Sequence, residues 1–173
     1  MKKIKYTFLL LLISCSTSKV VTDYDSKIDL NKFETYGFYE DAGAGLNELD
    51  VKRVINSTDL EMKKLGFEKT ETPDFYINII SRVSENRNNN TIGIGIGGGG
   101  RNGGFGISGG IPIGGKKLNE EITVEFVDSK TDKLFWQGVL NSTIKEKRNP
   151  QERKAYFNQV INKILKEYPL MEK

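Results

Sequence analysis

Residues 121–144 read EITVEFVDSKTDKLFWQGVLNSTI, and their patterning decides what kind of domain this is. Between Glu121 and Asp128, Ile122, Val124 and Phe126 alternate with Glu121, Thr123 and Glu125, the period of two that a half-buried strand requires. Asp128-Ser129-Lys130-Thr131-Asp132-Lys133 is a run of turn formers. Beyond it Leu134, Trp136, Gly138, Leu140 and Ile144 fall on one face of a second arm. Two alternating runs around a turn predict a β-hairpin. Trp136 reads as a core anchor with Gly138 making room for it; the other reading is a tryptophan that stacks on a ligand.

After the hairpin comes a helix with strong local signals. Asn149 is an N-cap candidate, Pro150 suits the first helical position, and Glu152 completes a capping-box pattern. Phe157, Val160, Ile161, Ile164, Leu165 and Tyr168 repeat at the spacing of one buried stripe, and Pro169 stops the run. Before the hairpin, Pro73-Asp74 opens the strand DFYINIISRVSE, with Phe75, Ile77, Ile79 and Val83 on one side and Tyr76, Asn78, Ile80 and Arg82 on the other. Further upstream, Val51, Val54, Ile55, Thr58, Met62 and Leu65 predict another amphipathic helix. Gly66 is placed to end it and Phe67 to fold back onto it. VVTDYD at 20–25 and Thr35–Tyr39 read as two short strands. The order predicts an α+β fold: a largely antiparallel sheet of about five to six strands, two helices on one face, and a Gly-rich hairpin or loop.

That Gly-rich part, TIGIGIGGGGRNGGFGISGGIPIGG at 91–115, holds 13 of the 18 glycines. Gly95, Gly97 and Gly100 match a dinucleotide-binding fingerprint, but Arg101-Asn102-Gly103-Gly104 cannot open the helix whose amides would hold a pyrophosphate. No Gly-Lys-Ser/Thr follows either, so nucleotide binding is excluded. Ile92, Ile94 and Ile96 alternate with glycine, and Phe105, Ile107, Ile111 and Ile113 continue at even spacing. A serine-rich linker would not keep that period. The reading is a weakly held Ile/Gly hairpin that either packs on the domain or orders on a partner, with a low-complexity insertion of little role as the other reading. Ile92, Ile94, Ile96, Phe105, Ile107 and Ile111 are the candidate contact residues.

The N-terminus, MKKIKYTFLLLLISCSTSK, has a basic start and an apolar run from Tyr6 to Ile13, too short to span a bilayer. Leu12-Ile13-Ser14-Cys15 has the form of a bacterial lipobox. The expectation is a signal peptide at 1–14, a diacylglyceryl- and acyl-bearing Cys15 at its cleavage site with a short tether over 15–19, one domain over 20–169 with its insertion at 92–115, and a tail at 170–173. The expected location is the cell envelope, anchored by lipid to the outer membrane.

Without Lys2, Lys3 and Lys5, Lys+Arg falls from 26 to 23 and equals Asp+Glu, so no excess charge attracts nucleic acid. The sequence has no histidine, and its one cysteine is committed to the anchor, which removes the common triads, thiol nucleophiles and cysteine–zinc sites. Gly106-Ile107-Ser108-Gly109-Gly110 spells a nucleophile elbow with no helix to follow it. Glu120-Glu121 point to opposite faces of a strand. The expectation is therefore no enzyme, no cofactor and no metal.

Cys15, then Val21 with Asp23-Tyr24-Asp25, then Phe33-x-Thr35-Tyr36, resembles the opening of the domain-of-unknown-function 4136 lipoproteins. Leu65-Gly66-Phe67, Pro73-Asp74-Phe75, the Gly-rich middle, Asp128-Ser129-Lys130-Thr131 with Leu134, Trp136 and Gly138, and Tyr168-Pro169 extend the likeness over residues 20–169; Phe38 stands where a tryptophan is expected. The resemblance implies an α+β envelope lipoprotein of unassigned biochemical role and supplies no catalytic residues. The leading expectation is a non-catalytic interaction or scaffold module that contacts the membrane through Cys15 and binds an envelope protein or itself. The alternative is a small-ligand or lipid carrier with a cleft near Trp136 and Tyr76.

Overall fold

The computed structural model describes residues 18–85 and 117–169. The elements are β1 (Val20–Tyr24), a 3-10 turn (Leu30–Lys32), β2 (Thr35–Phe38), α1 (Glu48–Lys64), β3 (Glu68–Lys69), β4 (Phe75–Glu85), β5 (Lys117–Asp128), β6 (Lys133–Lys145) and α2 (Pro150–Lys166). One six-stranded sheet has the order β1-β6-β5-β4-β2-β3. β1, β6, β5 and β4 run antiparallel to one another in turn, whereas β2 is parallel to both β4 and β3. The fold is α+β with a mostly antiparallel sheet, as the sequence predicts. Its parallel edge and the two-residue β3 were outside that reading.

The helices lie where their local signals put them. Asn149 accepts from the Glu152 backbone N–H while the Glu152 carboxylate accepts from the Asn149 N–H, a complete capping box ahead of Pro150. α1 is capped by Asn47, which accepts from the N–H groups of Leu49 and Asp50. Its C-terminus closes as a Schellman motif: Phe67 N–H donates to the Met62 carbonyl and Gly66 N–H to Lys63, with Gly66 at φ +89°. Phe67 then folds back, edge-on to Phe75 and Tyr168.

Both helices cover one face of the sheet. Phe75, Ile77 and Ile79 of β4, Ile122, Val124 and Phe126 of β5, and Trp136 and Leu140 of β6 are fully buried there with Val54, Met62, Phe157, Ile161 and Ile164 of the helices. Gly138 makes room as expected, since a Cβ would sit 2.6 Å from Ile164 and 2.9 Å from the Trp136 ring. Val83 departs from the expected pattern: it shares this face but lies 52% exposed, opposite Glu120.

The hairpin forms with one correction to its second arm. Phe126 pairs with Trp136 but Val127 pairs with Leu134, so Phe135 is an extra residue in a bulge. The bulge shifts the alternation. Leu134, expected beside Trp136, is 45% exposed, and Phe135 is buried, stacked on Phe33 at 4.0 Å and edge-on to Phe75.

Candidate interaction surface

The second face of the sheet is built from the residues that alternate with the core. Directly paired residues share a face, so Ile80, Thr123, Val139 and Val21 form a row across β4, β5, β6 and β1. A parallel row holds Asn78, Glu125, Gln137 and Asp23. Tyr76, Val127 and Leu134 follow, with the Tyr39 ring packed at a tilt against Tyr76 at 5.1 Å. Val21 is 60% exposed and Ile80, Val139, Val127 and Tyr76 are half-buried, while Thr123 between them is buried. Apolar positions therefore line a face that the described helices leave uncovered. Asn78 donates to Glu125 and Arg82 pairs with Glu121 across the same strands.

Two carboxylates organise one end of the sheet. At the end where β4 begins and β5 ends, Asp74 accepts from the N–H groups of Glu34 and Thr35 and from the Thr35 hydroxyl. Those bonds, the Glu34 one foremost, hold its carboxyl below the usual range. Burial alone would raise Asp128, but the Lys32 ammonium at 3.0 Å and the N–H groups of Lys130 and Thr131 outweigh it and bring it down to about 2. These two carboxylates tie the hairpin turn and the 3-10 turn to the sheet. They are structural acids.

At the other end, two chain segments depart together. Val20 pairs with Leu140, and the strands run on to Glu85, Lys117 and Lys145. Ser18 is held against α2 by the Lys163 ammonium at 2.8 Å. Cys15 lies three residues before Ser18, so the chain toward it and the chain from 86 to 116 leave from the same end of the sheet.

Cys15 and the candidate contact residues Ile92, Ile94, Ile96, Phe105, Ile107 and Ile111 lie outside the described residues. Trp136 is fully buried against Phe126 and Tyr168, a core anchor and not a ligand-stacking ring. Tyr76 projects to the opposite face, so the cleft expected near Trp136 and Tyr76 does not bring these two together. Glu120 and Glu121 do diverge: Glu120 is buried and holds Ser81 and Arg148, while Glu121 faces outward. Sequence reasoning missed the buried Glu120–Arg148 pair, and it also missed Asp50, which is held by Arg53, Arg153 and Asn47. The Glu120–Arg148 and Asp50–Arg153 contacts join residues far apart in the chain. Among the described residues no cluster of His, Cys, Asp or Glu could hold a metal ion, and no helix is long and apolar enough to cross a membrane.

Comparison with known proteins agrees on fold. A PDZ domain protein from Parabacteroides distasonis is 15% identical, with a TM-score of 0.57 over 90% of this chain; the chain spans 36% of that protein's length. PelC from Paraburkholderia phytofirmans, solved as a dodecamer, is 8% identical with a TM-score of 0.50, covering 85% of this chain and 96% of that one. No curated protein matches the chain. The model of the family described as Domain of unknown function (DUF4136) matches residues 20–170, and the chain belongs to that family.

Proposed function

We propose that this protein is a lipid-anchored module of the bacterial cell envelope, held in the outer membrane through acylated Cys15. It has no catalytic role and binds an envelope protein, or further copies of itself, through the uncovered face of its sheet. The observation that carries this reading is the row Val21, Val139 and Ile80, exposed or half-buried β-branched side chains flanking a buried Thr123 on a face with no described helix over it. Contiguous apolar surface of this kind is what protein partners cover. The dodecamer formed by PelC, whose fold is similar, gives self-association a precedent. The candidate contact residues Ile92, Ile94, Ile96, Phe105, Ile107 and Ile111, outside the described residues, add apolar side chains in the sequence between Glu85 and Lys117.

The test is photo-crosslinking in living cells from a benzoylphenylalanine at Val139 or Val21, with Lys154 on the exposed side of α2 as control. Adducts to a discrete protein from the sheet positions, absent from Lys154, support the reading. Equal labelling, or none from the sheet face, ends it. Anchoring is tested separately, since Cys15→Ala must abolish incorporation of labelled fatty acid.

A further inference from the structure

Between the first half of α2 and the anchor-side ends of β5 and β6 lies a buried polar nest that neither the fold nor the interaction face uses. Glu120 is 2% exposed, accepting from the Ser81 hydroxyl at 2.9 Å and from Arg148 Nη2 at 3.4 Å. The Arg148 side chain is nine-tenths buried, its guanidinium 4.5 Å from the centre of the Tyr156 ring. Its Nε and Nη1 have no hydrogen-bond partner; the Tyr156 hydroxyl makes no well-formed hydrogen bond but lies close to Ser142 and Glu120. Burial, and then the Glu120 carboxylate, pushes the Tyr156 phenol upward, so it remains a proton donor.

Tyr156 also lines a recess of about 400 Å³ together with Ser18, Asn141, Ser142, Thr143, Gln159 and Lys163. Tyr156 is common to both: its ring carries the Arg148 guanidinium and its side chain lines the recess, with Ser142, the cross-strand partner of Glu120, beside it. The walls are hydroxyls, amides and one ammonium, with Val160 as their apolar member. Buried N–H and O–H groups are nearly always paired, and an arginine with two idle nitrogens beside a polar recess lacks an acceptor. Glu120 balances one positive charge, leaving that of Lys163. The donors come from three directions: the segment after β6, β6 itself and α2. A tetrahedral oxyanion accepts from several directions at once and matches this arrangement.

We propose that the Arg148–Tyr156 nest is a binding site for a phosphate-type oxyanion, with Arg148 and Lys163 supplying charge and Tyr156 and Ser142 supplying hydroxyl donors. The phosphoryl group can belong to a free phosphate or to a lipid headgroup of the adjoining leaflet. The site does not depend on the proposed docking role of the sheet face.

The test is calorimetric titration of the full-length, detergent-extracted protein with inorganic phosphate and with glycerol phosphate, alongside nanodiscs of phosphatidylglycerol against uncharged-lipid controls. Tyr156→Phe keeps the ring under the guanidinium and removes only the hydroxyl; it is expected to weaken binding about tenfold. Arg148→Gln should abolish binding, and Lys163→Ala provides a second charge variant away from the Glu120 pair, covering a misfolded Arg148→Gln. Saturable binding of the soluble phosphates assigns a free ligand, and binding of phosphatidylglycerol nanodiscs alone assigns a headgroup. Both support the site. No saturable binding to any probe, or wild-type affinity in both Tyr156→Phe and Lys163→Ala, overturns it.

Discussion

Gly45 and Gly66 both sit at positive φ, +87° and +89°, but for different reasons. A Cβ on Gly66 would meet nothing within 4 Å, so Gly66→Ala bears only the backbone penalty of the Schellman position, about 1 kcal/mol. A Cβ on Gly45 would lie 2.0 Å from the Ser81 carbonyl oxygen, beside the bridge in which Ser81 N–H donates to Ala44. Gly45→Ala must break that bridge as well and should remove about 3 kcal/mol or more. Urea titrations followed by the fluorescence of Trp136, the one tryptophan, should order the midpoints wild type, Gly66→Ala, Gly45→Ala. Asp128 acts at the same scale through pH. Its folded carboxyl is depressed to about 2, so it contributes stability that is complete above the unfolded value near 4 and lost as pH falls toward 2. That contribution is at most about 2 kcal/mol, less whatever solvent screens from the half-exposed Lys32. Asp128→Asn should lower stability at pH 7 and flatten its fall between pH 4 and 2. An unchanged acid slope would show that Asp128 is not its source.

The elements whose signals are local were legible in the sequence: the capping box of α2, the Gly66 stop of α1, and the period-two alternation of β4 and β5. Each depends on residues a turn or less apart. The bulge at Phe135 was not legible, because Leu134, Phe135 and Trp136 are all good strand formers and alternation alone assigns Leu134 to the Trp136 face. What selects Phe135 is distant: Phe33 stacks on it, and its carbonyl accepts from the Asp25 N–H. The structure therefore reverses the expected ranking of two neighbours. Phe135→Ala should cost about 4 kcal/mol, from lost burial and an aromatic cavity. Leu134→Ser, at a side chain 45% exposed, should change stability by less than about 0.5 kcal/mol. Equal losses for the two variants in urea titration would mean the register reverts to unbroken alternation.

Across the whole molecule, the sequence conveyed the layers and the strand count but not who neighbours whom. Four residues of β2 and two of β3 carry no mark of a parallel partner. Their pairing is imposed by α1 returning the chain along the sheet, with Asp74 holding Glu34 and Thr35. The same limit applies to the candidate surface. Alternation identified Tyr76 and Ile80 as one side of β4, but only the order β1-β6-β5-β4 lines Ile80 up with Thr123, Val139 and Val21. That order also fixes direction. Val20 lies five positions short of the sheet end at Lys145, a distance of about 17 Å, and the residues between Val20 and Cys15 can run alongside it. With the chain held at Cys15 as proposed, the Lys117 and Lys145 end faces the bilayer. The opposite end, where Asp74, Asp128 and Asp132 lie among Lys32, Lys130 and Lys133, faces away. A benzoylphenylalanine at Lys117 or Lys145 in the membrane-bound protein should therefore form adducts with acyl chains, and one at Lys130 or Asp29 should not. Phospholipid adducts at Lys130 as abundant as at Lys117 would invert the orientation and put the sheet face and the 86–116 departure on the wrong side of the anchor.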